Sequence, residues 1–339
     1  MKLPPVAATT VGSFPRPGWL VRSHSSPNSL GVEFALEGDA LLEAQDDATL
    51  VSLHGQEEAG LDLVTDGEQR RLSFINHILA AWDGVDLSKT RSRTIRRRTV
   101  ERPVPCIVGK IHRRSPAGVE DIRFAKVHAA RPVKMAVPGP MTVVDTTFDE
   151  FYGDEEVLAM DVATALNAEL LDLQAAGADV LQIDEPAMTR YHEKVETYGA
   201  RALDRCLQGI TVPTIIHLCY GYPGRGVRQY EYTYPELLKL LMQTKIGGFS
   251  LEFARSGYDP AILTLCEGRL VMFGCMDPGD SPPEPVADVA GRVREALKYV
   301  DPNNLLLAPD CGLMTISREL AHDKARLVAE TAQVVRQTL

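Results

Sequence analysis

Four residues far apart in the chain carry its clearest chemistry: His217 and Cys219 in IIHLCYG, Glu252 in FSLEFAR and Cys311 in LAPDCGL. Each closes or follows a short apolar run of the kind that forms a buried strand. An imidazole, two thiolates and a carboxylate make a borderline-soft donor set suited to Zn2+, and donors from the ends of different strands suit a catalytic centre better than a local zinc knuckle. Taken singly, each has a plainer explanation. H-x-C is a common accident of strand alternation, a lone strand-end Glu is more often salt-bridged, and a lone buried Cys is more often inert. Together they supply a full tetrahedral set with a position that an incoming sulfur can take, so the expected chemistry is activation of a sulfur nucleophile. Cys275 is the rival ligand, because Gly274 beside it permits close backbone approach.

The elements that must position these donors follow from hydrophobic patterning. Eight short apolar runs occur at 6–11, 63–66, 133–137, 180–184, 214–218, 249–252, 270–274 and 305–308, most separated by enough chain for a helix. Buried strands alternating with amphipathic helices argue for parallel βα units, and eight of them for a closed (β/α)8 TIM barrel spanning 1–339 as one catalytic domain. The clearest helix covers 157–176, where Leu158, Val162, Leu166, Leu170 and Leu173 recur at helical spacing and Gly177 terminates the run. AGADVLQIDEP after it echoes AGLDLVTDGE at 59–68, a weak internal repeat of the kind equivalent barrel units would show. Two segments break the rhythm: 17–38 reads as an extended loop after the first strand, and 86–131 as a β-hairpin excursion before the third, carrying the basic run 91–98.

Composition limits the function classes. The 339 residues hold 36 basic and 46 acidic side chains, a net charge of −10, which disfavours nucleic acid as a partner. The basic run reads as a solvated hairpin face that could touch an acidic partner. No signal peptide or membrane-length apolar segment is apparent, so cytoplasmic localisation is expected. Six scattered cysteines do not make a secreted disulfide framework; reduced thiols are expected.

In a barrel the substrate sits at the carboxyl ends of the strands, and the distinctive polar residues land there: Val11-Gly12-Ser13, Asp66-Gly67-Glu68 and Asp184-Glu185-Pro186. The motifs TTVGSFPRP, VTDGEQRR, GPMT, LQIDEPAM, HLCYG, LEFAR and LAPDCGLMT, in this order, resemble the catalytic C-terminal barrel of cobalamin-independent methionine synthase over nearly the whole chain. The short, single-barrel core form is the better match. The resemblance implies zinc ligation by His217, Cys219, Glu252 and Cys311, and L-homocysteine binding by Val11, Gly12, Ser13, Glu68 and Asp184. The last assignment also makes physical sense, since an amino acid needs carboxylates for its ammonium group and N–H or hydroxyl donors for its carboxylate.

Departures from the family pattern bear on the methyl donor. Met276 stands where the long form has a proton-donating histidine, and Thr146 and Arg190 stand where it contacts methyl-folate. Expelling a folate nitrogen needs a proton, whereas expelling Co(I) does not. The expectation is therefore a methylcobamide donor, carried by a corrinoid protein, with methyltetrahydrofolate as the alternative and Asp277 as the available acid. Other readings are a zinc thiol-alkyltransferase acting on coenzyme M or an epoxide, and a non-catalytic homocysteine or zinc sensor.

Overall fold

The computed structural model describes residues 3–23, 31–95, 101–221 and 233–339. Its strands in chain order are β1 (Ala7–Ala8), β2 (Val21–Ser23), β3 (Glu33–Phe34), β4 (Trp82–Thr94), β5 (Glu101–Arg113), β6 (Lys134–Pro138), β7 (Phe148–Asp149), β8 (Val180–Asp184), β9 (Thr214–Leu218), β10 (Gly248–Glu252), β11 (Leu270–Met276) and β12 (Leu305–Pro309). Seven of them form one parallel sheet in the order β1-β12-β11-β10-β9-β8-β6, each hydrogen-bonded to its neighbour in that sequence. Helices cover its outer face, so the strands are buried on both sides and read as apolar runs.

The run at 63–66 forms no extended strand. It makes a single bridge, Val64 to Val133, because Gly67 and Glu68 both take positive φ and turn the chain away immediately. The segment nonetheless links the two edges of the sheet. Asp62 N and Leu63 N donate to Ala8 O at 2.8 and 3.2 Å, while Val64 N donates to Pro132 O at 3.0 Å and accepts at its carbonyl from Lys134 N at 2.8 Å. The result is a TIM-barrel-like α/β fold.

The internal repeat has a structural counterpart. Asp62 and Asp179 follow Gly60 and Gly177, which both have positive φ. Each aspartate then does the same work for a neighbouring strand: Asp62 Oδ2 accepts from Ala8 N and Asp179 Oδ2 from Val133 N, both at 2.8 Å. A cation completes each unit, Arg336 on Asp62 and Lys126 on Asp179.

Strand alternation decides what faces inward. Ala7, Val11, Leu63, Val180, Ile215, Met272, Leu306 and Ala308 pack together inside the curled sheet. Two residues beyond Val180 and Ile215 on the same face come Gln182 and His217, and two further on come Asp184 and Cys219. The apolar plug at the bottom thus gives way to chemistry at the carboxyl end. The helix predicted at 157–176 is observed at Glu155–Ala175, with Asp154 capping the Glu156 and Val157 amides, and its predicted apolar stripe is buried.

Both excursions differ from expectation. The hairpin begins earlier, β4 pairing antiparallel with β5 from Trp82 opposite Arg113, and the last part of 86–131 is the helix Val119–His128. Within 17–38, β2 and β3 pair antiparallel, and 24–30 lies outside the described residues. Residues 96–98 of the basic run lie outside them too. Its described members find acids on the chain itself: Arg91 contacts Glu150 at 3.0 Å, and Arg93 contacts Glu155 at 3.6 Å and donates to Val144 O at 2.9 Å. Among the described residues, no helix is long and apolar enough to cross a membrane.

Candidate metal centre and amino-acid pocket

β9 ends in His217-Leu218, and Cys219 follows directly; Cys311 follows β12. Although 92 residues separate them, the Cys219 and Cys311 sulfurs lie 3.3 Å apart. Ligand atoms of His217, Cys219 and Cys311 all lie within 4.8 Å of one another, and all three residues are buried. Two thiolates on one tetrahedral zinc ion stand about 3.8 Å apart, so this spacing is one that a single ion can serve.

His217 is prepared for such a role. Its Nδ1 meets Ser250 Oγ at 2.8 Å, while the buried Nε2 has no hydrogen-bond partner among the described residues. Burial, reinforced by the Lys134 charge, pushes the imidazole pKa down to about 3 and keeps the ring neutral, the form that ligates metals. Ser250 sits opposite His217 in the β9–β10 register and orients the ring, the usual service of a hydrogen-bonded neighbour to a metal-binding histidine. Sequence reasoning missed Ser250, whose only signal is being an inward polar residue two before Glu252.

Glu252, at the end of β10, is fully buried, and its Oε1 accepts from Tyr220 N at 2.8 Å. It lies outside the three-residue cluster but belongs to the adjacent strand end. The rival Cys275 faces elsewhere: its Sγ–H donates to Ala308 O at 3.5 Å, and burial pushes the thiol up to about 12. It carries the marks of an inert structural thiol. All six cysteines are free thiols.

Asp310, beside Cys311, ties the strand ends together. Its carboxylate accepts from Phe253 N and Ala254 N at 2.9 and 3.0 Å through Oδ1, and from Arg255 N at 2.9 Å through Oδ2. The chain leaving Glu252 is therefore fixed to the residue next to Cys311. Gly274 on the intervening strand makes room, since a Cβ there would lie 2.3 Å from Asp310 Oδ1 and 2.8 Å from Leu251 O. Gly274→Ala is expected to destabilise the protein by about 3 kcal/mol, because the obstructing groups are backbone or hold backbone; thermal and denaturant unfolding measure this.

The second group lies on the β1, β6 and β8 side. Asp184 ends β8 and is bonded by Gln182 Nε2 at 2.6 Å. Its neighbour Glu185 points the other way and anchors the GPMT turn, accepting from Met141 N and Thr142 N at 2.9 Å each. Glu68 has φ 58°, a strained value for a non-glycine residue and a common mark of functional positions. Its carboxylate approaches Gly12 so closely that a Cβ on Gly12 would stand 2.8 Å from Oε1. Arg71 lies 3.6 Å from that carboxylate. Gly12 is further fixed by Thr65 Oγ1, which donates to its carbonyl at 2.7 Å, and Ser13 O accepts from Leu313 N at 2.9 Å.

Between these groups lies Lys134, fully buried inside β6 and unnoticed in the sequence reading. Its Nζ donates to Val11 O at 2.5 Å and to Gln182 Oε1. Burial lowers its pKa to about 8, an effect opposed by the charges of Asp184, Glu68 and Asp66. The available signal was a lysine opening an otherwise apolar strand, KMAVP, since buried lysines need partners.

Asp277 stands apart. It forms an ion pair with Arg255 at 3.2 Å and accepts from Gly279 N at 2.9 Å, the contacts of a loop anchor. The three residues that depart from the family pattern make local contacts. Met276 is buried and its carbonyl accepts from Asp310 N at 2.9 Å. Thr146 Oγ1 donates back to Thr142 O at 2.6 Å. Arg190 lies 5.6 Å from the centroid of the Tyr220 ring.

Fold and site together define an α/β enzyme whose carboxyl-end face joins a cluster of soft ligands to a group of buried carboxylates. The chain belongs to the cobalamin-independent synthase family, whose catalytic domain matches residues 6–334. Along its full length it is 30% identical to a methionine synthase of Sulfurisphaera tokodaii, 95% of which is covered, and 31% identical to one of Saccharolobus islandicus, 97% covered. A solved B12-independent methionine synthase from Shewanella sp. W3-18-1, in complex with selenomethionine, is similar at 34% identity and a TM-score of 0.90, with 99% of each chain covered. A methyltransferase from Methanosarcina mazei shares the fold, with a TM-score of 0.65 at 15% identity. These comparisons leave the methylcobamide expectation without support: the family is described as cobalamin-independent.

Proposed function

We propose that this chain is a zinc-dependent methyltransferase that moves a methyl group from methyltetrahydrofolate to the thiol of L-homocysteine, giving L-methionine. The observation that carries the reading is the convergence of His217, Cys219 and Cys311 within 4.8 Å on the same carboxyl-end face as Glu68 and Asp184. The methionine synthase relatives and the selenomethionine bound to the Shewanella protein support it. We read residues 1–339 as one closed (β/α)8 barrel, the segment 62–64 completing the ring.

His217, Cys219, Glu252 and Cys311 would hold the ion. Bound there, zinc supplies acidity to an incoming thiol, so that sulfur is presented as thiolate at neutral pH. The chain's own groups place that sulfur. Asp184 and Glu68 receive the substrate ammonium, and the turn 11–13 receives its carboxylate. Lys134 holds the Val11 carbonyl away from the substrate carboxylate. Burial of both groups keeps water from competing for the methyl group. A sulfonate thiol such as coenzyme M would meet carboxylates where it needs cations, which disfavours that substrate. Methyl-folate requires a proton on its departing nitrogen. Asp277 is the acid proposed to provide it, and its ion pair with Arg255 must open for it to do so.

The test is to incubate zinc-loaded protein with homocysteine and either methyltetrahydrofolate or methylcobalamin, and to quantify methionine. Methionine is expected from the folate donor; product from methylcobalamin alone would overturn the donor assignment. No methionine from either, with zinc retained, would overturn the methyltransferase reading.

A further inference from the structure

We infer that Tyr234 is a positioning residue for the metal centre, its hydroxyl bridging β9 and β10 at the two strand ends that carry His217, Cys219 and Glu252. This rests on the metal-centre reading above. The β9–β10 register runs Ile216 to Phe249, His217 to Ser250 and Leu218 to Leu251, and then stops. In a parallel ladder the last rung joins Glu252 N to Leu218 O. A side chain spans the same two groups here: Glu252 N donates to Tyr234 Oη at 3.1 Å, and Tyr234 Oη donates to Leu218 O at 2.7 Å. One hydroxyl thus bridges the two strand ends, accepting from one and donating to the other.

The bridging hydroxyl is rigidly held. Tyr234 is fully buried at the start of the helix Tyr234–Leu241. Its ring stacks on Tyr258 at 4.7 Å between centroids and 17° between planes. Its backbone N donates to Tyr258 Oη at 3.2 Å. Glu252 is pinned from the other end by Tyr220 N. A phenylalanine with a direct rung would satisfy the same backbone groups, so backbone satisfaction alone does not call for the hydroxyl. What the hydroxyl adds is a side-chain tie across the strand ends, held by the stacked Tyr234 and Tyr258 rings and not by the ladder alone. That tie falls at Leu218 and Glu252, between His217 and Cys219 on one side and the Glu252 carboxylate on the other, so it sets how the donors of adjacent strands face one another.

The experiment compares wild type, Tyr234→Phe and Tyr258→Phe by chelator competition for zinc and by the absorption spectrum of the cobalt(II)-substituted protein. Thermal unfolding of the metal-free forms checks that each folds. Tyr258→Phe removes the hydroxyl that accepts from Tyr234 N but keeps the stacked ring and the Tyr234 hydroxyl that bridges Leu218 O and Glu252 N. Tyr234→Phe is expected to bind zinc about 10–100-fold more weakly, with a shifted cobalt spectrum, the usual scale for losing a group that orients a ligand. Tyr258→Phe should stay close to wild type in both. Wild-type affinity and an unchanged spectrum in Tyr234→Phe would overturn the inference, as would an equal loss in both variants, which would mark a general weakening of the cluster. A wild-type protein that holds no zinc would remove the metal-centre reading and this inference together.

Discussion

Cys311→Ser is expected to release zinc and to lower turnover at least about 10³-fold. A serine hydroxyl stays protonated where a thiol ionises, so the centre loses one of two anionic sulfurs while His217 and Cys219 remain. Zinc content after gel filtration and the rate of methionine formation read the two effects separately. Cys275→Ser is the matched comparison: that thiol bonds Ala308 O, away from the cluster. It should retain zinc. A zinc-replete, active Cys311→Ser protein would transfer the ligand role to Cys275 and refute the set proposed here.

The second large effect concerns Asp184. Asp184→Asn should lower kcat/KM for homocysteine by about 10²–10³, the rough cost of removing one member of a buried, hydrogen-bonded charge pair, about 3–4 kcal/mol, while zinc content stays at the wild-type level. The wild-type pH profile carries the same signature. Burial is the largest cause raising the pKa of Asp184, to about 7, with the Glu68 charge adding to it; the Gln182 hydrogen bond and the Lys134 charge oppose the rise. A raised value means that the protonated form gains population as pH falls through it. An ammonium ion is held by the carboxylate, so homocysteine affinity should be lost on going down from about pH 8 to 6. The substrate thiol also titrates with pH, but the amide side chain introduced by Asp184→Asn does not. That variant should therefore flatten the Asp-dependent part of the KM profile and leave the rest. A KM profile that Asp184→Asn leaves unaltered in shape would exclude Asp184 from ammonium binding.

Much of this arrangement was legible in the residues themselves. HLC, the PDC turn and the AGxD repeats sit at strand ends, where backbone geometry is tightly specified, and runs such as 180–184 and 214–218 match β8 and β9 residue for residue. Hydrophobic patterning was less informative where side chains rather than ladders hold the backbone. The segment after Leu63 turns at Gly67 and Glu68 and is held in part by Thr9 Oγ1 on Leu63 O and by Gln56 on Thr65 N, bonds without a periodic signature. Lys134 and Tyr234 were missed for the same reason: each acts through one polar atom at the end of a side chain that otherwise reads as core or surface. Asp277 is the converse case: position in the sequence picks it out, and the structure adds local contacts, an ion pair with Arg255 and the Gly279 amide, that no pattern of residues announces.

The two halves of the site are built by different means. His217, Glu252 and the approach to Cys311 lie on β9 to β12, consecutive neighbours in the parallel sheet. Glu68 and Gly12 are held instead by Thr65, Arg71 and the backbone turn around them. Exchanging a few polar side chains can remodel the second half without unpicking the first. Under the proposed function, such a scaffold can change which thiol it accepts while the proposed metal ligands stay as they are, and a designer seeking new alkyl acceptors would leave β9–β12 alone and work on the turns at 11–13 and 65–71.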